Sequence, residues 1–274
     1  MSRLKFRKNK FGMLGDGTKV HIYTVSNGKM SFSATDYGCT ITSIMLPAKN
    51  GSKVDILLGH SDLNGYLNSG LCFGTIVGRF ANRVGNAKFT LDGVSYNLDQ
   101  NDNGNTLHGG FDRYEKKMWE ARKVSTDAGV GIEFTRTSYD GEQGFPGNVT
   151  LKVTYTLNEN NTITLDYKAV TDKATPINLT NHAYFNLKGN ENGSILDQEL
   201  TLTCPHYLEV SEKLIPTGKL VPVDGTPFDF TKPKLIDFNI QSQVISLIIR
   251  NNEINQNSLD VEYILMVLLP ILIN

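Results

Sequence analysis

Three short segments place imidazole, guanidinium and amide groups beside aromatic rings. Asn82 and Arg83 lie in Val77-Gly-Arg-Phe-Ala-Asn-Arg-Val84, His108 in Asn105-Thr-Leu-His-Gly-Gly110, and His182 in Asn178-Leu-Thr-Asn-His-Ala-Tyr-Phe-Asn186. Such groups suit a polyhydroxylated ring, whose hydroxyls both donate and accept and whose C–H face packs on an aromatic wall. Each has a plainer reading as well. A His before two glycines also fits a loop turn, and Arg79 and Arg83, four apart, could hold a loop by ion pairs. His182, among Thr, Asn and Tyr, could be held in one tautomer with a pKa near neutrality, as a general acid or base requires.

Other chemistries are excluded by pattern. The five histidines are far apart, with no paired-Cys or His-Glu-x-x-His motif, so neither a metal nor a cofactor is expected. Gly78 to Gly85 is neither a dinucleotide fingerprint nor a phosphate loop, and no Gly-x-Ser-x-Gly occurs. The formal net charge of -1 supplies no field for nucleic acid or an acidic membrane, which leaves a neutral small molecule as the expected partner. The basic start, Arg3, Lys5, Arg7, Lys8 and Lys10, reads as a solvated terminal arm rather than a targeting or anion-contacting segment.

No apolar run follows that start, and Cys39, Cys72 and Cys204 are odd in number and widely spaced, so a cytoplasmic protein with reduced thiols is expected. The apolar run Ile264 to Ile273 carries Pro270 and is far short of the ~20 residues a membrane-spanning helix needs.

The elements that must position these residues read as strands. Strand-length β-branched or aromatic stretches run over Val20–Val25, Met30–Thr35, Thr40–Leu46, Lys88–Leu91, Gly131–Thr137, Thr150–Leu157, Thr162–Val170 and Glu199–Leu202. Asn27-Gly28, Asn50-Gly51, Asp92-Gly93 and Asp140-Gly141 supply turn residues tolerant of positive φ. In Thr150–Leu157 the residues Leu151, Val153, Tyr155 and Leu157 alternate with polar ones, and Ile163, Leu165, Tyr167 and Ala169 repeat the pattern after an Asn158–Asn161 loop. Only Asp62–Leu67 and Tyr114–Trp119 could hold a helical turn or two. With no linker or repeat, a single all-β domain over 1–274 is expected, a large antiparallel β-sandwich with very little helix.

Taken together and in order, these segments resemble the aldose 1-epimerase family. The resemblance is carried by Tyr37-Gly-Cys-Thr-Ile41, Asp55-Ile-Leu-Leu-Gly59, Phe73-Gly-Thr-Ile-Val-Gly-Arg-Phe-Ala-Asn-Arg83, Asn105-Thr-Leu-His-Gly-Gly110 and Trp119. It continues through Gly141-Glu-Gln-Gly-Phe-Pro-Gly147, Leu179-Thr-Asn-His-Ala-Tyr-Phe-Asn-Leu187, Ile215-Pro-Thr-Gly218 and Thr226-Pro-Phe-Asp-Phe230.

The family implies the mutarotase supersandwich and interconversion of the α and β anomers of free hexoses such as galactose and glucose, without a cofactor. It implies His182 as the acid at the ring oxygen, with Asn82, Arg83 and His108 on the sugar and Tyr184 beside His182. The family's sugar-binding Asp would be Asp260 in Ser258-Leu-Asp-Val-Glu-Tyr263, where Ser258 and Val261 stand in place of the motif's Gly and His. A monomer is expected.

The family's glutamate base has no counterpart here. Fourteen residues follow Asp260 (274 minus 260), and neither Glu253 nor Glu262 has the flanking pattern. The family's last strands are therefore expected to be missing after about residue 265. A truncated or misread product of a longer gene is the favoured account, beside a non-catalytic sugar-binding relative and an active variant with its base elsewhere. A sugar-phosphate epimerase would need further Arg or Lys at the site, and a glycosidase would need paired carboxylates.

Overall fold

The computed structural model describes residues 4–236 and two later strands, Ser246–Ile248 and Met266–Leu268. The chain forms two compact units, Met1–Glu191 and Asn192–Asn274.

Five antiparallel strands open the first unit: β1 (Lys5–Met13), β2 (Lys19–Ser26), β3 (Ser31–Thr35), β4 (Thr40–Pro47) and β5 (Lys53–Asp55), in sequential order across one sheet. A short helix α1 (Leu63–Asn68) follows, with Asp62 Oδ1 accepting from Gly65 N at 2.9 Å as its cap. Next come β6 (Ile76–Val77), β7 (Arg83–Val84), the hairpin β8 (Lys88–Leu91) and β9 (Val94–Asn97), and β10 (Thr106–Leu107). A second four-stranded meander is built from β11 (Glu120–Thr126), β12 (Gly129–Ser138), β13 (Val149–Leu157) and β14 (Ile163–Thr171), before β15 (Thr180–Asn181).

The two larger sheets share one core, because period-two alternation turns an apolar face of each inward. Tyr23, Val25, Phe32 and Ala34 of the first sheet enclose it with Ile132, Phe134, Leu151, Val153 and Tyr155 of the second. Rings meet across the sheets, Tyr23 on Phe134 at 6.1 Å and Phe32 on Tyr155 at 6.4 Å, both edge-on. Leu151, Val153, Tyr155 and Leu157 are all buried, as their alternation predicts, whereas on β14 Ile163, Leu165 and Tyr167 are half-buried and Ala169 is exposed. The reason is position, since β14 is the outermost strand of its sheet.

Two further expectations change. The basic start is not a free arm: from Lys5 onward it is β1, paired with β2 from Lys5↔Ser26 to Met13↔Lys19. Its exposed Lys5, Arg7, Lys8 and Lys10 give this edge the positive charge that discourages pairing with another chain. Asp140-Gly141 is not a tight hairpin turn either, since it opens a long connection, residues 139–148, between β12 and β13.

The second unit contributes β16 (Glu199–Leu200) paired with β19 (Lys234–Leu235), and β17 (His206–Val210) paired with β18 (Pro216–Pro222). Its last pair is β20 (Ser246–Ile248) with β21 (Met266–Leu268), the only described part of the Ile264 to Ile273 run. Among the described residues, no helix is long and apolar enough to cross a membrane.

Candidate functional site

One stretch of the first unit, residues 73–84, acts as a spine between two others. On one side β6 pairs with β15, Ile76 opposite Asn181. The ladder continues into His182, whose N–H donates to Thr75 O at 2.8 Å and whose C=O accepts from Gly74 N at 2.9 Å. On the other side β7 pairs with β10, Arg83 opposite Leu107, and the next residue is His108. Short strands therefore deliver two imidazoles distant in sequence to one place, with ring centroids 5.3 Å apart and planes at 87°.

The turn carrying His108 is tightly determined. Asn82 and His108 both occupy the left-handed region, φ 66° and 56°, which Asn and His tolerate better than most residues. His108 N donates to Asn82 O at 2.9 Å, and Asn82 N donates to His108 Nδ1 at 3.1 Å. A backbone N–H can only donate, so Nδ1 must accept and the proton of the neutral ring sits on Nε2. Gly109 follows with φ 93°, and a Cβ there would lie 2.3 Å from Gly78 O, so the spine and the turn approach too closely for any side chain.

Both imidazoles are buried and uncharged. Burial pushes the His108 pKa down to about 3, with His182, Arg113 and Arg83 adding repulsion. Burial pushes His182 down to about 4, a hydrogen bond of its backbone acting the other way and the Arg113 charge again lowering it. Tyr184 packs on His182 at 5.0 Å and Phe73 stands edge-on to Tyr184 at 5.3 Å, an aromatic side to the site.

Arg83 points its guanidinium here with help from two acceptors. Its Nε donates to Asp102 Oδ2 at 2.7 Å and its Nη1 to Asn82 Oδ1 at 3.3 Å. Arg79 is different. It is fully buried and donates six hydrogen bonds, to the carbonyls of Ser138, Tyr139, Pro146 and Gly147 and to the hydroxyls of Ser138 and Thr175. It does hold a loop, among the described residues through carbonyl and hydroxyl acceptors rather than through ion pairs.

Asn82, Arg83, His108, His182 and Tyr184 are thus brought together. Asp260 lies outside the described residues, as do Glu253 and Glu262. Among the described residues no cluster of three or more His, Cys, Asp or Glu side chains is arranged to hold a metal ion.

Sequence reasoning passed over several groups that shape the site. Asp102 is the Arg83 partner, and Asn101 clasps the His108 turn at three points, accepting from Leu107 N at 2.7 Å and donating to Leu107 O at 2.9 Å and Gly110 O at 2.7 Å. Their signal was the Asp99-Gln-Asn-Asp-Asn-Gly104 run, because Asn and Asp side chains readily bond nearby backbone. Arg113 also stands near the imidazoles, with Glu115 as its ion-pair partner, and neither has any signal in its flanks.

The aldose 1-epimerase family profile matches residues 21–266. The galactose mutarotase of Rattus norvegicus is 40% identical over 233 residues, covering 85% of this chain and 67% of that protein. The aldose 1-epimerase of Escherichia coli (strain K12) is 36% identical over 222 residues, covering 81% of this chain and 63% of that one. Among solved structures, galactose 1-epimerase from Lactobacillus acidophilus NCFM superposes with a TM-score of 0.77 at 29% identity, over 85% of this chain and 68% of its own. The chain spans about two thirds of the length of these relatives. A match this long, on the strands and turns that assemble the two imidazoles, shows that the chain belongs to the aldose 1-epimerase family.

Proposed function

We propose that this protein interconverts the α and β anomers of a free hexose by acid–base opening and closing of the ring. The observation that carries the reading is the pair His108 and His182, edge to face at 5.3 Å, with Tyr184 packed on His182 and Arg83 clamped beside His108. The names of the relatives point the same way.

In this reading His108, with its proton on Nε2, donates to the sugar, and Arg83 and Asn82 hold ring hydroxyls. A carboxylate takes the proton of the C1 hydroxyl, the C1=O bond forms as the bond from C1 to the ring oxygen breaks, and His182 protonates that oxygen. Rotation about C1–C2 and the reverse steps close the ring on its other face.

The electrostatics add a requirement. An imidazole held at about 4 has no second proton at pH 7. A carboxylate facing it favours the imidazolium, the form that carries the proton an acid needs. The base and the acid therefore tune each other, and removal of either should cost a large part of the ~10²–10⁴-fold that a placed acid–base group supplies. No base is assigned among the described residues.

Polarimetry of freshly dissolved α-galactose tests the proposal. The wild-type chain should speed mutarotation over buffer, and His182→Gln should lose most of that acceleration while still binding galactose. Equal rates with wild type and with buffer would rule the activity out for this chain.

A further inference from the structure

Arg113 is absent from every motif that suggested the site, yet its charge reaches both His108 and His182. Its Nη2 meets Glu115 Oε1 at 2.5 Å and Gly70 O at 3.4 Å. Glu115 is fixed in turn, its Oε2 accepting from the buried Cys72 thiol at 3.1 Å. With the Arg113 and Glu115 side chains only 18% and 13% exposed, this is not an ion pair on a solvated face. Cys72 adjoins Phe73, which stands against Tyr184, so the cluster closes back on the aromatic side of the site.

The clamp leaves Nε and Nη1 of Arg113 with no acceptor among the described residues. Arg83 is arranged alike: Asp102 and Asn82 take Nε and Nη1, and Nη2 has no acceptor among the described residues. Uncommitted N–H groups on a held, planar guanidinium suit hydroxyl oxygens, and fixing the fork beforehand lowers the entropy lost on binding. Each guanidinium is also paired with its own carboxylate, whose negative charge disfavours a phosphorylated or uronic sugar relative to an uncharged one.

We propose that Arg113, held by Glu115, is a second arginine that binds the sugar and selects it by donating to one particular ring hydroxyl. This rests on the reading of the site as a hexose site. Arg113 serves recognition, and the proton transfers fall to other groups.

Titration calorimetry with D-galactose and its 2-, 3-, 4- and 6-deoxy derivatives tests the assignment, with polarimetry alongside. Arg113→Met should weaken galactose binding about tenfold and raise KM more than it lowers kcat. One deoxy sugar should bind wild type and R113M alike, because the hydroxyl that Arg113 serves is already gone. Arg113→Lys, which keeps the charge without the fork, should fall between, and it decides the matter by the same deoxy comparison if R113M does not fold. Glu115→Gln should weaken binding of the same sugars as R113M, by less.

Galactose binding within twofold of wild type in the folded variant, or an equal loss with every deoxy sugar, would overturn the proposal, as would a wild-type chain that binds no hexose. Wild type that binds galactose without speeding mutarotation would sink the epimerase reading and leave this one standing. Mutarotation by wild type with R113M unaffected would sink this one alone.

Discussion

The main chain of Asn82 holds His108 at two points, its C=O taking the His108 N–H at 2.9 Å and its N–H reaching the ring Nδ1 at 3.1 Å. Two residues far apart in sequence thereby lock one tautomer and one ring orientation, leaving Nε2–H as the group that can face a ligand. An imidazolium would forfeit the bond to Nδ1, which agrees with a pKa pushed down to about 3 by burial and by neighbouring cationic groups.

Replacing His108 should therefore separate stability from binding. His108→Asn keeps an oxygen for the Asn82 N–H and a residue at ease with positive φ, so its unfolding free energy in urea should stay within about 1 kcal/mol of wild type. His108→Phe leaves that buried N–H unpaired and should cost about 1–3 kcal/mol. Both variants should bind galactose more weakly by calorimetry. Unchanged affinity in both would remove His108 from the sugar.

Stability should fall on mild acidification because of the two imidazoles. Unfolded histidine titrates near ~6.5, whereas His182 and His108 are held at about 4 and about 3 in the folded chain. The unfolded state thus binds more protons in this interval. The stabilisation is complete above the unfolded value and is lost as pH drops toward the folded ones, on the order of 3 kcal/mol for His182 alone. Thermal denaturation between pH 7 and 4.5, where most carboxylates stay ionised, should show a steeper decline for wild type than for His182→Gln. Parallel curves would contradict the assignment.

Arg79 should matter for folding more than for the sugar. Its guanidinium is buried without a carboxylate partner among the described residues and is solvated by four carbonyls and two hydroxyls. Lysine cannot reproduce that planar fan, so Arg79→Lys should lose about 3 kcal/mol or more in urea unfolding. Retention of wild-type stability would show that the fan of bonds contributes little.

The strands were legible wherever a sheet has one wet face. The alternation in Thr150–Leu157 predicts β13, buried at Leu151, Val153, Tyr155 and Leu157. β1 was not legible, because its outward residues are charged and only Phe6 and Phe11 mark its inner side. Strand or arm is decided there by pairing with β2, which the local sequence does not contain. Asp140-Gly141 misled for a related reason: the dipeptide reports tolerance of positive φ, and here Gly141 uses it to open a long connection that Arg79 holds.

By itself the sequence determined the all-β class, through short-range alternation, while the resemblance of its motifs to the aldose 1-epimerase family singled out Asn82, Arg83, His108, His182 and Tyr184 as candidates. Only the tertiary structure decided which neighbours give those groups their properties: Asp102 on Arg83, the Asn82 backbone on the His108 ring, and Arg113 within range of both imidazoles. Tautomer, charge state and the direction of a guanidinium depend on partners brought within a few ångströms by strand pairing, and separation along the chain holds no record of that distance.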